Sequence, residues 1–226
     1  MVGPRRLVGI MAKAPIAGQA KTRLIPVLGA DRAARLQQQM LLDTIDLTTT
    51  ALEGQGAISV VCPTAADRAV LECLVPAGVG VVAHERGDLM RGLDYGLSYH
   101  LDQGYEQVVL LDGDSPSLPA HYVRSAFDQL TGDAVVLGPT LDGGYYLIGA
   151  CRPRPALFEW QHLDSASVCR QTQELAEALG ARVALLPPWY DVDTAEDLER
   201  LVNELRSYPN RAPRTCRFLF ERDGRR

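Results

Sequence analysis

The feature that most constrains the fold is a regular alternation of short apolar runs with longer amphipathic stretches along 226 residues. Most of the apolar runs are continuous in hydrophobicity, which is typical of strands covered on both faces. The predicted strands are Leu7–Met11, Ala57–Cys62, Gly78–Ala83, Gln107–Asp112, Ala134–Leu137, Tyr145–Ala150 and Arg182–Leu186.

The stretches between these runs have the apolar spacing of helices. The predicted helices are Asp31–Leu52, Ala65–Leu74, Asp88–Leu101, Ala120–Leu130, Ser165–Leu179 and Thr194–Leu205. In the last one, Thr194 with Asp197 three residues later predicts a capping box at the helix start. Alternating strands and helices predict an α/β fold, a three-layer α/β/α sandwich around a mostly parallel mixed sheet.

The chain shows no linker and no shift of composition before residue 206. We therefore expect one domain over residues 1–206, followed by a basic C-terminal tail over residues 207–226. Because termini fray unless they are tied down, a frayed or surface-draped tail is favoured over a basic anchor for an acidic partner. Within the tail, Cys216–Phe220 is a candidate edge strand or partner contact.

Charge and apolar patterning exclude several classes of protein. A net charge of −5 argues against a nucleic-acid-binding surface. No apolar run reaches the roughly 18 residues that span a bilayer, and the N-terminus lacks the apolar segment of a secretory signal. Five cysteines without a C-x-x-C pair indicate reduced thiols. We expect a cytoplasmic protein with neither nucleic acid nor membrane as a partner.

In sheets of this kind, ligands bind beyond the carboxyl ends of the strands. The first predicted strand is followed by a loop of small residues that includes Gly18 and carries three cations, Lys13, Lys21 and Arg23. Backbone amides together with Lys and Arg side chains suit a polyphosphate. A solvated basic loop is the alternative interpretation.

Two pairs of acidic residues also follow predicted strands. Asp112 and Asp114 end one strand, and Asp191 and Asp193 lie between the last strand and the last helix. If the pairs converge, their carboxylates form a site for Mg²⁺ or Mn²⁺. The alternatives are a turn of Asp, Gly, Ser and Pro in the first case, and acids that favour a helix dipole in the second.

A further cluster contains Asp142, Gly143, Gly144 and Tyr145 between two apolar runs. This pattern is a hairpin signal, and it equally suits a substrate lying against the glycine backbone beside Asp142 and a tyrosine. Of the four histidines, His84 follows a predicted strand, but for each of them a packing or surface position is favoured over a catalytic one.

These clusters, in this order, resemble the DUF2064 family of GT-A-fold proteins, which is related to nucleotidyltransferases of the molybdopterin guanylyltransferase and phospholactate guanylyltransferase type. The matching stretches are Met11–Pro15, Lys21–Leu24, Asp114–Pro116, Asp142–Gly149 and Tyr190–Leu198. The resemblance implies that Ala12 lies near the nucleotide base, that Lys21 and Arg23 hold phosphates, and that Asp114 and Asp193 bind the metal. Asp112-Gly113 and Leu163-Asp164-Ser165 depart from the family pattern, the latter on the side of the acceptor.

Three functions follow from the resemblance. The favoured one is a metal-dependent nucleotidyltransferase that joins an NTP to a small phosphorylated acceptor and releases pyrophosphate, because the first loop carries the positive charge that a triphosphate requires. In this hypothesis Lys21, Arg23 and Asp114 carry the catalysis. The second is a glycosyltransferase that uses an NDP-sugar, and the third is a non-catalytic nucleotide-binding module. A homodimer is compatible with all three.

Overall fold

The computed structural model describes residues 5–159 and 167–220, in which the strands lie where the apolar runs predict them. The strands are β1 (Arg6–Met11), β2 (Ala57–Cys62), β3 (Gly80–Ala83), β4 (Gln107–Asp112), β5 (Val135–Pro139), β6 (Tyr145–Ala150) and β7 (Val183–Leu185). They form one sheet in the order β3-β2-β1-β4-β6-β5-β7. Strand β6 runs antiparallel to both of its neighbours, whereas the other pairs are parallel, so the sheet is mixed as predicted.

The helices include the six that the sequence predicts and two short ones that it does not. They are α1 (Ile25–Leu28), α2 (Ala30–Leu52), α3 (Ala65–Glu72), α4 (Leu89–Asp102), α5 (Ala120–Gln129), α6 (Val168–Ala178), α7 (Ala195–Ser207) and α8 (Pro213–Phe220). The predicted start of the sixth helix, at Ser165, lies outside the described residues. None of the helices in the described part of the chain has both the length and the apolar character needed to cross a membrane.

Helices cover both faces of the sheet, and this explains the continuous apolar runs. On β4, Val109 and Leu111 pack in the core beneath α2, α3 and α5, while Val108 and Leu110 pack in the opposite core against α4 and α6. Successive side chains of a strand point to opposite faces, so a strand buried on both sides needs apolar residues at every position. The predicted three-layer sandwich is confirmed.

A third core lies on the outer side of α2 and corrects the expectation for the tail. There Leu36 and Met40 of α2 pack with Leu201 of α7 and Phe218 of α8. The candidate edge strand at Cys216–Phe220 is wrong, since this segment is helical. The prediction of a frayed or draped chain is also wrong over residues 213–220, because α8 packs in this core and Asp43 of α2 caps its first turn. Residues 221–226 lie outside the described part.

The sheet topology brings all four sequence clusters to one edge. Strands β1 to β4 are parallel, and two successive antiparallel pairings through β6 return β5 to the same direction as β4. Strand β7 is parallel to β5. The loops that follow β1, β4, β5 and β7 therefore all leave the sheet at the carboxyl end of the parallel strands, the edge at which α/β proteins bind ligands.

Candidate active site

A cleft of about 630 Å³ opens at this edge, and most of the predicted site residues line it. The predicted residues on its wall are Ala12, Lys13, Lys21, Arg23, Asp112, Asp114, Asp142, Gly144, Tyr145 and Asp193. Two others are not on the wall. Gly18 lies in an exposed turn with φ of 81°, and the backbone N–H and C=O of Gly143 are directed to Thr140 and Cys169. The ligand roles of all these residues stay predictions.

The centre of the cleft is an ion triad that joins the first loop to both acidic pairs. The Lys21 ammonium lies 2.9 Å from Asp114 Oδ2 and 2.6 Å from Asp193 Oδ1. Burial alone would lower the pKa of Lys21, but the carboxylates of Asp114 and Asp193 outweigh it and raise the pKa above its ordinary value. The lysine is therefore charged, and it crosslinks the loops after β1, β4 and β7.

The backbone of the first loop fixes the position of this lysine. Lys21 has φ 46° and ψ 49°, a left-handed conformation that costs a residue other than glycine about 1–2 kcal/mol. The residues on both sides hold it there, because Ala20 and Leu24 are buried and the Leu24 N–H donates to the Lys21 carbonyl at 2.8 Å. The packing of its neighbours thus holds Lys21 in this left-handed backbone conformation.

Asp112 lies deeper than Asp114 and is held by a serine. Ser115 Oγ lies 2.8 Å from Asp112 Oδ2 and 2.9 Å from the Tyr190 carbonyl oxygen. Burial, and then the nearby Asp114 carboxylate, raise the pKa of Asp112 well above its ordinary value. The Ser115 hydroxyl has one proton, which it shares between these two acceptors.

The second acidic pair, Asp191 and Asp193, lies just before α7, whose start is capped by other residues. The Thr194 hydroxyl accepts the Asp197 N–H at 3.3 Å, and the Asp197 carboxylate accepts the Thr194 N–H at 2.8 Å, which confirms the predicted capping box. The Asp193 side chain is thereby left for Lys21. Burial and the neighbouring Asp193 raise the pKa of Asp191 to about 6.

The carboxylates at the cleft suit a hard divalent cation, although the Lys21 ammonium lies between those of Asp114 and Asp193. Carboxylate oxygens are the ligands that Mg²⁺ and Mn²⁺ prefer, and the buried Asp112 Oδ1 has no hydrogen-bond partner. Across residues 5–159 and 167–220, no three acidic, histidine or cysteine side chains are arranged to hold a metal ion. The residues fit a cation chemically, provided that the lysine gives way.

The hairpin between β5 and β6 confirms the turn interpretation of its sequence, whereas the substrate contact stays a prediction. Asp142 Oδ1 accepts the Gly144 N–H at 3.2 Å and the Thr140 hydroxyl, as expected of a tight turn. The turn nevertheless lies on the cleft wall, with Tyr145 beside it. Tyr146 points into the core instead and donates to the Pro187 carbonyl at 3.0 Å.

Apart from His84, the sequence analysis did not identify the opposite wall of the cleft. This wall is lined by Gln37, Leu41, Val61, Pro63, His84 and Leu89. Pro63 and His84 directly follow β2 and β3. The strand-end rule singles out His84, for which the sequence favours a packing position, and could have identified Pro63 in the same way. Gln37 and Leu41 carry no such signal, because α2 reaches the cleft only through its packing on the sheet. His84 is also tightly packed, since a Cβ at Gly92 would lie 2.7 Å from its Nε2.

Solved structures resemble this chain over nearly its full length. A candidate nucleotide-diphospho-sugar transferase from Desulfovibrio desulfuricans G20 is 28% identical, with a TM-score of 0.84, over 96% of this chain and 94% of the other. A nucleotidyl transferase from Methanothermobacter thermautotrophicus is 17% identical, with a TM-score of 0.60, over 91% and 100% of the two chains. A Mycobacterium tuberculosis H37Rv protein in complex with manganese is 20% identical, with a TM-score of 0.53, over 89% and 99%.

These likenesses confirm the predicted fold class. No curated protein matches the sequence. The family model described as "Uncharacterized protein conserved in bacteria (DUF2064)" matches residues 44–163, more than half of the chain and a segment that carries β4, Asp114 and the hairpin. The chain belongs to the DUF2064 family.

Proposed function

We propose that the protein is a metal-dependent nucleotidyltransferase, which joins an NTP to a small phosphorylated acceptor and releases pyrophosphate. The observation that carries the proposal is the convergence of Asp114 and Asp193 on one cation, Lys21, beside the basic loop that follows β1. A polyphosphate needs cations on its oxygens, and a metal that bridges it needs carboxylates from the protein. The cleft offers both within one cavity.

The basic loop supplies the contacts for the phosphates. Lys13 and Arg23 are exposed on the cleft wall, and neither side chain is taken up by an ion pair within the described residues. Arg23 can hold phosphate oxygens through two parallel N–H bonds. In the proposed complex, Lys21 and Arg23 hold the β- and γ-phosphates, which leave together as pyrophosphate.

The acidic residues provide the metal site. Asp114 and Asp193 would hold the cation, with Asp112 next to them on the cleft wall. A bound Mg²⁺ or Mn²⁺ offsets the charge on the reacting phosphates. The manganese complex of the M. tuberculosis neighbour supports a divalent cation in this fold.

The order of strands supports a division of the cleft between two substrates. His84 follows β3 and Asp114 follows β4, three strand spacings or about 14 Å apart across the sheet. This distance suits a nucleoside triphosphate whose base lies near Ala12 and the wall that contains Gln37 and His84. The hairpin with Asp142, Gly144 and Tyr145 lies on the other side of β4, where it would contact the acceptor.

The reaction is then an in-line displacement at the α-phosphorus. An oxygen of the acceptor phosphate forms the new P–O bond, and the bond between the α-phosphorus and the bridging oxygen of the β-phosphate breaks. Both substrates are anionic, so the contribution of the protein is to position them and to neutralise their charge.

A glycosyltransferase that uses an NDP-sugar is the second candidate. The D. desulfuricans neighbour, a candidate nucleotide-diphospho-sugar transferase at 28% identity, favours it. The same acidic residues would then hold a cation on the diphosphate, and less positive charge would be needed in the first loop.

A thermal-shift panel separates the candidates. The full-length protein is heated with each NTP and with NDP-sugars, with and without Mg²⁺. Binding at a hundredfold excess over Kd stabilises a protein by about 2.7 kcal/mol. A shift with an NTP and Mg²⁺, followed by pyrophosphate release when a phosphorylated acceptor is added, is the expected result. A shift confined to NDP-sugars would favour glycosyl transfer instead.

The phosphate contacts give a second test. Arg23→Ala and Lys21→Ala should each weaken binding of the triphosphate more than binding of the monophosphate, because these cations are assigned to the outer phosphates. Arg170→Ala, which removes the same charge from an exposed pair with Glu174, is the control. Equal losses for the two nucleotides would show that the loop serves the base or the fold.

A further inference from the structure

Lys21 occupies a place that the proposed function gives to a metal ion. Its side chain is only 4% exposed, whereas those of Asp114 and Asp193 are 37% and 46% exposed. The ammonium therefore lies on the inner side of the two carboxylates, and the carboxylates face the cleft. It contacts one oxygen of each, in the manner of a bridging cation.

A divalent cation held by Asp114 and Asp193 would compete with this ammonium for their oxygens. Two like charges in contact in a partly buried site repel each other strongly. The alternative is equally costly, because removing the lysine alone leaves the carboxylates of Asp114 and Asp193 without their only contacting ammonium within the described residues. Each cation can replace the other, but the site does not hold both in one position.

A lysine that leaves the carboxylates needs another anion. Its four-carbon stem has several rotatable bonds, so the ammonium can turn toward the cleft without a change in the loop backbone that the buried Ala20 and Leu24 hold. Phosphate oxygens of a nucleotide in the cleft would pair with the ammonium and so free the carboxylates for a metal ion. When both ligands bind, every charge has a partner. When the metal binds without a nucleotide, the Lys21 ammonium has no anion beside it.

We propose that Lys21 is a built-in competitor of the metal, which keeps divalent cations weakly bound until a polyphosphate accepts its ammonium. This inference rests on the proposed function, and it adds that metal and nucleotide bind cooperatively through one side chain. Cooperativity of this kind is reciprocal, so the metal also raises the affinity for the polyphosphate.

The test measures Mn²⁺ alone, titrated into the nucleotide-free, full-length protein and followed by electron paramagnetic resonance of the free ion. Lys21→Met should bind Mn²⁺ about tenfold more tightly than the wild type, within the usual range of coupling between sites. Arg170→Met removes the same net charge from a surface pair and should bind as the wild type does. Equal or weaker binding by Lys21→Met would overturn the proposal.

Two further variants keep the test decisive. In Lys21→Gln the lysine is replaced by a somewhat shorter side chain with a neutral amide. This variant is used if Lys21→Met does not fold, and the same tighter binding of Mn²⁺ is expected. Adding Asp193→Asn to either variant should abolish the gain. If the gain persists in the double variant, the Mn²⁺ is bound elsewhere and the proposal is wrong.

The outcome also separates this inference from the proposed function. Nucleotide-dependent thermal shifts, together with unchanged Mn²⁺ affinity in Lys21→Met, would retain the function and reject the competition. Tighter Mn²⁺ binding without a shift for any NTP would reject the function and leave the competition between Lys21 and the metal standing.

Discussion

Asp193 and Thr194 are neighbours in the chain, yet their side chains serve different parts of the protein. The Thr194 hydroxyl satisfies a free N–H in the first turn of α7. The Asp193 carboxylate contacts Lys21, which comes from a loop 172 residues earlier. Substitutions at Thr194 should therefore affect stability, and substitutions at Asp193 should affect the proposed reaction.

We expect Thr194→Ala to lower the free energy of unfolding by about 1 kcal/mol, as loss of an N-cap does. Turnover per folded molecule should change little. Asp193→Ala should abolish metal-dependent turnover, because it removes one of the two carboxylates that meet at Lys21 and are assigned to the metal. Melting of the metal-free protein and metal-dependent turnover are measured for both variants.

Asp193→Ala removes one contact of a largely buried lysine, but it also relieves repulsion among clustered carboxylates, so we expect only a small change in melting temperature. An Asp193→Ala variant that melts early and retains turnover would contradict the metal site. Asp193 would then act through the start of α7.

Among the secondary-structure elements, α8 depends most on contacts distant in sequence. Asp43 of α2 accepts the N–H groups of Arg214 and Thr215 at 3.0 and 2.7 Å and so caps the first turn. Phe218 is 7% exposed in the core on the outer side of α2, whereas Phe220 is 42% exposed. The helix is held by one buried carboxylate and one aromatic ring.

We expect Phe218→Ala to destabilise the protein by about 3 kcal/mol, through lost burial and the cavity that remains. Phe220→Ala, a matched change two residues away on the exposed side, should cost well under 1 kcal/mol. Chemical denaturation measures both. Equal effects would mean that α8 does not pack on α2 as described.

Asp43→Ala tests the cap in the same way. It leaves two backbone N–H groups without their acceptor, so we expect a loss of about 1–3 kcal/mol. Asp46→Ala removes only an exposed pair with Arg214 and should cost less than about 1 kcal/mol. If the two variants melt together, the backbone contacts of Asp43 contribute nothing to stability.

For the molecule as a whole, α2 couples the sheet to the C-terminal helices. One of its faces packs on the sheet through Leu41 and Ile45, and the other packs on α7 and α8 through Leu36 and Met40. Gln37 and Leu41 also reach the cleft. Loss of the outer core therefore exposes the helix that supports one wall of the site.

We expect the described fold to unfold in one cooperative step. Far-ultraviolet circular dichroism, which reports all the helices, and fluorescence of Trp189, which lies against two of the cores, should give the same midpoint in urea. A Trp160→Phe background removes the other tryptophan. An early loss of helical signal without a fluorescence change would show that α7 and α8 unfold on their own.

Local pattern determined the elements of the sheet and the positions of the candidate ligands. Strands such as β4 were predictable because burial on both faces demands an apolar residue at every position. The capping box at Thr194 was predictable because both of its partners lie within four residues. The strand-end rule then placed Asp114, Asp142 and Asp193 at one edge without any knowledge of distances.

Only the tertiary structure decided which charges meet. No local rule pairs Lys21 with Asp114 and Asp193, because the contact depends on how the β1, β4 and β7 ends are ordered in the sheet and on a left-handed backbone held by packing. The helix at Phe218 was also beyond local pattern. A short segment gains its stability from the surface on which it packs, and the sequence of the segment does not contain that surface.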